Sequence, residues 1–235
     1  MKKFLKKIIP RPLIHRLNRF RVNVLNGFVF ASNPYIAMIH TYINLARNSR
    51  KKDRKLEIGP GLERIAGFET VNITWGKNVD YVVDASKRMP FEENTFQIVY
   101  ASHILEHIPW MNIEQTLSEW FRIIKKGGRL EIWVPDGYKL AKLLCDIEED
   151  KVRDEWNDDW RPFNTEGSPY KWVNGRLLYG ANPSYPSWHL SVLTKKYLYD
   201  LLNHTGFEDI RCLEPSEVRG YDHGWINLGL SGRKP

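Results

Sequence analysis

Between residues 53 and 136 short β-type runs alternate with turn- or helix-type segments, and no other feature constrains the fold as much. Runs at Lys55–Ile58, 70–73, 80–83, Phe96–Ser102 and 129–134 read as strands. A parallel neighbour cannot be reached through a tight hairpin, so strands spaced by crossover segments imply a parallel sheet. Before the fifth run, Ile113, Leu117, Trp120, Phe121 and Ile124 recur at helical spacing. Asn112 is placed to cap that helix, with Gln115 as the far member of a capping box. Lys125 and Lys126 suit its negative end, and Gly127 and Gly128 terminate it. Downstream, Asp136 is positioned to cap a helix, and Thr194 a second one carrying Tyr197, Leu198, Leu201 and Leu202 and stopped by Gly206. Residues 208–213 and 225–230 read as two closing strands. The prediction is an α/β fold with a doubly wound, seven-stranded, mostly parallel sheet.

Charge divides the chain. Residues 1–55 hold fourteen Lys and Arg against one Asp, whereas the other 180 hold twenty-one against twenty-seven Asp and Glu. The formal charge of +7 therefore belongs to the N-terminal end. We read residues 1–52 as a basic helical arm, with Leu13, Ile14, Leu17 and Phe20 on one face, and 53–235 as the main domain. The apolar stripe of residues 1–22 is expected to pack on the main domain, with peripheral contact at the inner face of an anionic membrane as the alternative. Lys2, Lys3, Lys6 and Lys7 are followed by Pro10 rather than a long apolar run, so no secretory signal is read. Residues 22–46 lack Asp, Glu, Lys and Arg but contain Asn23, Asn26, Asn33, Pro34 and Asn44, so no spanning helix is read either. Cys145 and Cys212 have no metal-type or disulfide-framework spacing, and a cytoplasmic setting follows. Residues 150–190, dense in aromatics such as Trp156, Trp160, Trp172, Tyr170, Tyr179, Tyr185 and Trp188, read as an ordered insertion covering the acceptor.

The segment Leu56, Glu57, Ile58, Gly59, Pro60, Gly61 is the central motif. A glycine turn after a buried strand lets a ligand approach the backbone, and ligands of open α/β sheets sit beyond the strands' carboxyl ends. With it come Gly67 and Phe68, Asp84 followed by Met89, Pro90 and Phe91, and the run Ser102, His103, Ile104, Leu105, Glu106, His107. Lys126, Gly127, Gly128, Arg129 and Leu130 then lead to Val134, Pro135 and Asp136. In this order, from about Lys55 to Asp136, the motifs resemble the class I S-adenosylmethionine (SAM)-dependent methyltransferases, particularly the bacterial group labelled methyltransferase type 11.

That resemblance implies a cofactor, SAM, with S-adenosylhomocysteine as product. It places Gly59, Pro60 and Gly61 at the methionine portion, Glu57 at the ammonium group, Asn72 at the ribose hydroxyls and Asp84 at the adenine amino group. Ala101, Ser102 and His103 would border the cofactor. The chain departs from the pattern at Asn72, where an acid is usual, at Gln97 and at Glu63, and only about eight residues separate Gly61 from the second strand, which shortens the usual first helix to a turn. Gly59-Pro60-Gly61 lacks the third glycine of a nicotinamide-binding fingerprint, which disfavours an oxidoreductase.

Methyl transfer to a hydroxyl calls for a base, and histidine has a suitable pKa. The candidates are His103, His107 and His189, with His107 or His189 preferred. No metal is assigned. The alternative use of the same residues is a divalent ion held by His103, Glu106 and His107 with His189 as a distant ligand, resembling a related Glu-x-x-Glu-His set in some SAM enzymes. The expected acceptor is a saccharide or cell-surface glycan precursor, in keeping with polysaccharide biosynthesis, since aromatic faces suit sugars. Two other functions compete: a catalytically weak SAM-binding interaction module, and a nucleic-acid methyltransferase using the basic arm on phosphates.

Overall fold

Phe96–Ser102 (β4) carries apolar side chains on both faces, and it occupies the middle of the sheet. The computed structural model describes residues 34–61, 64–152, 168–179 and 188–235. The expected arm helix, the apolar stripe and alternative membrane contact of residues 1–22, and Trp156, Trp160 and Tyr185 lie outside these. The other strands are β1 (Lys55–Ile58), β2 (Glu69–Asn72), β3 (Tyr81–Val82), β5 (Ile124–Pro135), β6 (Glu208–Cys212) and β7 (Asn227–Arg233). They form one seven-stranded sheet in the order β3-β2-β1-β4-β5-β7-β6. Neighbours from β3 to β5 are parallel, and β7 runs antiparallel to both β5 and β6. The order reverses between β1 and β4, so a crevice opens beyond their carboxyl ends.

Five α-helices are described: α1 (Pro34–Asn48), α2 (Ile113–Ile123), α3 (Gly137–Glu148), α4 (Pro169–Asn174) and α5 (Lys195–Thr205). Leu117, Trp120 and Ile123 of α2 and Leu198, Leu201 and Leu202 of α5 join the main core on the sheet. Trp120, fully buried, also donates its indole N–H to Ala85 O at 3.0 Å. Burial of one such side chain contributes on the order of 2 kcal/mol. On the opposite face, Ile98, Tyr100 and Trp133 meet Phe68 and Leu213. Among the described residues no helix lies between β1 and β2, in keeping with the short connection read in the sequence. Trp172 and Val173 of α4 pack on Leu140 and Leu143 of α3 and on Ile226, which fastens this part of the aromatic insertion to the domain.

β3 is an edge strand, and α1 closes that edge. Thr41 Oγ1 accepts from Val82 N at 3.0 Å, Asn44 Nδ2 donates to Asp80 O at 2.9 Å, and Asn48 Nδ2 donates to Tyr81 OH at 2.7 Å. Spaced three or four apart, these polar residues form one helix face that serves the open backbone groups of the strand. Among the described residues no helix is long and apolar enough to cross a membrane.

Three local expectations are corrected. Asn112 stands at the head of α2 without a side-chain cap, and no capping box forms with Gln115. A preceding turn, Trp110–Asn112, runs straight into the helix, so Asn112 is already helical and cannot fold its side chain back. Ile124 belongs to β5 rather than the helix, and residues 125–128 loop out where the register jumps from Phe96↔Ile124 to Ile98↔Arg129. The helix-end carbonyls of Phe121, Arg122 and Ile124 are taken by Lys234 Nζ, at 2.9, 3.3 and 2.9 Å, rather than by Lys125 or Lys126. Finally, Trp225 sits in a turn (Gly224–Ile226), and the last strand begins at Asn227. Asp136, Thr194 and Gly206 act as read: Asp136 accepts from Tyr138 N at 3.0 Å, Thr194 from Tyr197 N at 3.4 Å, and Gly206 adopts a left-handed φ of 100°.

Candidate active site

β1 delivers the chain to Gly59, whose N–H donates to Val71 O at 2.8 Å. Gly59 has φ 72°, a conformation favoured by glycine, and a Cβ built there would run into the Ile104 side chain. Gly61 faces open space, with nothing within 4 Å of a Cβ. Beyond the ends of β1, β2 and β3 lies a cleft of about 290 Å³, walled by Gly59, Asn72, Asp84, Ile104, His107 and Leu190 together with apolar neighbours. Of the residues assigned to the cofactor, Gly59, Asn72 and Asp84 line this cleft, while Glu57, Pro60, Gly61, Ala101, Ser102 and His103 are not part of its wall. Ile104, Ile108, Pro109 and Leu190 are wall residues that sequence reasoning missed. The first three follow directly on the His103 segment and could have been inferred from it; Leu190 carried no local signal.

The polar residues of the cleft are served by near neighbours. Asn72 Oδ1 accepts from Ile73 N at 2.8 Å. Asp84 Oδ1 accepts from Ser86 N at 3.0 Å and Ser86 Oγ at 2.6 Å, and Oδ2 lies 3.4 Å from Lys87 Nζ. Burial would raise the Asp84 pKa, but the Ser86 hydrogen bonds and Lys87 outweigh it and hold the carboxyl below its ordinary value. Glu57 is buried, accepts a 3.4 Å hydrogen bond from Ile65 N, and is pushed up by desolvation.

Behind His107 the loop after β4 makes a single turn, Leu105–His107. The segment 188–191 is stitched to it. Glu106 O accepts from Leu190 N at 2.8 Å and Ser191 N at 3.1 Å, and Ser191 Oγ donates to Ile108 O at 2.6 Å. His107 Nδ1 donates to Trp188 O at 3.1 Å, and the His189 ring hydrogen-bonds the Arg176 backbone. The two imidazoles meet edge to face, centroids 5.1 Å apart. One ligand atom each from Glu106, His107 and His189 lies within 4.8 Å of the others.

His103 turns another way. It adopts φ 54°, stacks on His223 at 3.6 Å, and its Nε2 donates to Asn227 Oδ1 at 2.9 Å. Asn227 Nδ2 is committed to Asp222 at 2.7 Å, which fixes that direction. His103 Nδ1 thus points at Glu106 Oε1, 3.3 Å away. Burial opposes ionisation of Glu106, yet His103, His107 and His189 around it bring the carboxyl down to about 2. Burial lowers His189 to about 4 and His223 to about 3, so both rings are neutral at pH 7.

Residues 39–132 match the family model described as a methyltransferase domain. The chain is 31% identical over 80 residues to the ubiquinone/menaquinone biosynthesis C-methyltransferase UbiE of Brucella canis, covering 34% of this chain and 27% of that protein. It is 29% identical over 76 residues to the sterol 4-C-methyltransferase strm-1 of Caenorhabditis elegans, covering 32% and 22%. The chain thus spans about a quarter of the length of these curated relatives. A solved SAM-dependent methyltransferase of Thermotoga maritima aligns over 94% of this chain and 99% of its own, at 19% identity and a TM-score of 0.43. The family match falls on the strands and turn that build the cleft, so over residues 39–132 the chain is similar to the methyltransferase domain family.

Proposed function

We propose that the chain transfers the methyl group of SAM to a hydroxyl of a saccharide or glycan precursor. The observation that carries the reading is the cleft at the reversal of strand order, entered by a glycine turn at Gly59. The residues present fit the cofactor. Val71, Ile104 and Leu190 give apolar walls for a flat base, the Asn72 amide would meet ribose hydroxyls, and Asp84 Oδ2, 3.4 Å from exposed Lys87, would meet an amino group. Glu57, the buried carboxylate at the end of β1, would orient the ammonium group through its backbone turn. When bound, SAM supplies a methyl carbon made electrophilic by its sulfonium.

The chain's own task is to align the acceptor, exclude water and receive its proton. His107 borders the cleft with His189 behind it, so the cluster stands where an acceptor hydroxyl would be activated. Trp188, whose backbone carbonyl accepts from His107, is exposed, and so are Tyr221, which packs on His223 with centroids 4.7 Å apart, and Trp225. Exposed rings of this kind suit the apolar face of a sugar. The basic N-terminal residues would bring the domain to an anionic membrane at the cytoplasmic face, where such precursors are assembled.

The relatives are named for methylation of carbon in sterols and quinones. The test therefore offers labelled SAM together with a saccharide, a quinol and a sterol. Label on a sugar oxygen is the expected outcome. Label on quinol or sterol carbon, or none at all, overturns the acceptor, and failure to bind S-adenosylhomocysteine in calorimetry overturns the cofactor.

A further inference from the structure

The Glu106 side chain is only 2% exposed, and neither of its oxygens accepts a hydrogen bond among the described residues. A buried carboxylate without donors is costly, and native structures rarely leave one so. The groups that face it are imidazoles, and two of them are oriented in a particular way. His107 gives its Nδ1–H to the Trp188 carbonyl, which leaves Nε2 as its lone-pair nitrogen. His189 gives one ring N–H to the Arg176 backbone, which likewise leaves the other nitrogen as an acceptor. One ring nitrogen of each histidine and one oxygen of the buried carboxylate lie within 4.8 Å of one another, an arrangement that a cation between them would stabilise. The buried Arg176 guanidinium lies over the Trp172 ring at 5.3 Å.

We propose that Glu106, His107 and His189 form a binding site for a divalent transition cation of the zinc type. Two imidazoles and one carboxylate are a donor set for Zn²⁺ and its neighbours rather than for Mg²⁺ or Ca²⁺, which prefer oxygen throughout. Fixing the second nitrogen of each histidine with a backbone carbonyl is the usual way a protein aims an imidazole at a metal. His103 borders the site, with Nδ1 3.3 Å from Glu106 Oε1 and its other nitrogen on Asn227. Three protein ligands leave one coordination position for an oxygen ligand, and His107 places the site beside the cleft. Cation binding stands on these side chains alone. Its role, holding the acceptor hydroxyl, rests on the methyl-transfer reading above.

The experiment uses the full chain without a histidine tag, stripped with a chelator and dialysed against Zn²⁺ or, for spectroscopy, Co²⁺. Wild type is expected to retain one Zn²⁺ per chain by elemental analysis and to give the visible absorption of Co²⁺ in a low-coordinate nitrogen–oxygen site. Glu106→Gln and His189→Ala should each weaken Zn²⁺ binding by at least about tenfold. If Glu106→Gln does not fold, His107→Ala at the half-buried ring carries the same comparison. No retained metal in wild type, or variants that bind as tightly as wild type, overturns the proposal. S-adenosylhomocysteine titrated into the same samples separates the two readings. Lost nucleoside binding with retained Zn²⁺ removes only the proposed function, and the reverse removes only the metal site.

Discussion

The Gly59 cleft and the Glu106 cluster share His107 as a wall but are assembled from opposite materials. In the cleft, Asn72 and Asp84 are served from within three residues: Asn72 by Ile73, Asp84 by Ser86 and Lys87. Its shape comes from a backbone turn and from strand ends set by the sheet. In the cluster, the hydrogen bonds that aim the imidazoles span the chain: His107 to Trp188, 81 residues on, and His103 to Asn227, 124 residues on. Among the described residues neither oxygen of its central carboxylate accepts a hydrogen bond, and His103 Nδ1 stands 3.3 Å from one of them. The difference teaches that a locally satisfied site can recruit a large nucleoside without reorganising, whereas a site held together by distant loops and left short of positive charge is built to take a further ligand.

The largest effect expected concerns the footing of the cleft. Arg54 binds Glu69 in bidentate fashion, at 2.9 and 2.8 Å, and Tyr81 OH also reaches Glu69. Desolvation, with Glu69 beside it, pushes the Tyr81 phenol well above its ordinary range. The network joins β2 to β3 and, through Asn48, to α1. Glu69→Ala leaves Arg54 buried without its partner, and should cost about 3–5 kcal/mol in chemical denaturation. Below the unfolding midpoint, S-adenosylhomocysteine affinity should hold. A cost near zero would mean the cleft stands on its turns alone, and the contrast between the regions would weaken.

Next in size is Gly59→Ala. The added Cβ meets Ile104, and φ 72° is unfavourable for a residue with a Cβ by about 1–2 kcal/mol. Overpacking adds about 1–3 kcal/mol, so S-adenosylhomocysteine affinity should fall on the order of 100-fold. Adding Ile104→Ala should restore part of it, because the steric part is relieved and the backbone part is not. Calorimetry on the single and double variants checks both, and an unperturbed single variant would exclude Gly59 from the site. Zn²⁺ retention should survive in both proteins, which tests whether the two regions are separable.

How far each region was legible follows from the same contrast. The succession of strands along the chain, the Gly59 turn, and the caps at Asp136 and Thr194 depend on residues close in sequence, and short-range spacing disclosed them. The capping of α2 was read locally too, through Lys125 and Lys126, and was wrong because the cation that serves the helix end comes from position 234. Likewise Leu190 has no motif of its own and reaches the cleft only because Glu106 O pins its N–H. His189 was named beforehand, but nothing in its spacing fixes its distance from Glu106. Lys234→Met tests the long-range cap. It keeps most of the apolar stem and removes three charge-assisted bonds to carbonyls, so unfolding should become easier by about 1–2 kcal/mol. An unchanged midpoint would show that the helix end is satisfied without it.

The smallest effect is also the one that improves the protein. Asn72 ends β2 with its amide on the cleft wall, where the family resemblance leads one to expect an acid. A carboxylate there could keep the bond from Ile73 N and accept from ribose hydroxyls with a charge that an amide lacks. Asn72→Asp should therefore tighten S-adenosylhomocysteine binding about 5- to 10-fold, roughly 1 kcal/mol, in calorimetry at low ionic strength. The nearest charged carboxylate on the same rim, Asp84, already has Ser86 and Lys87 as partners, which limits the repulsion a new charge would feel. Tighter binding with Zn²⁺ retention unchanged would show that the cleft can be tuned locally, one side chain at a time. Weaker binding would mean that Asn72 donates rather than accepts, and that the cleft, like the cluster, is set by partners its own sequence neighbourhood does not reveal.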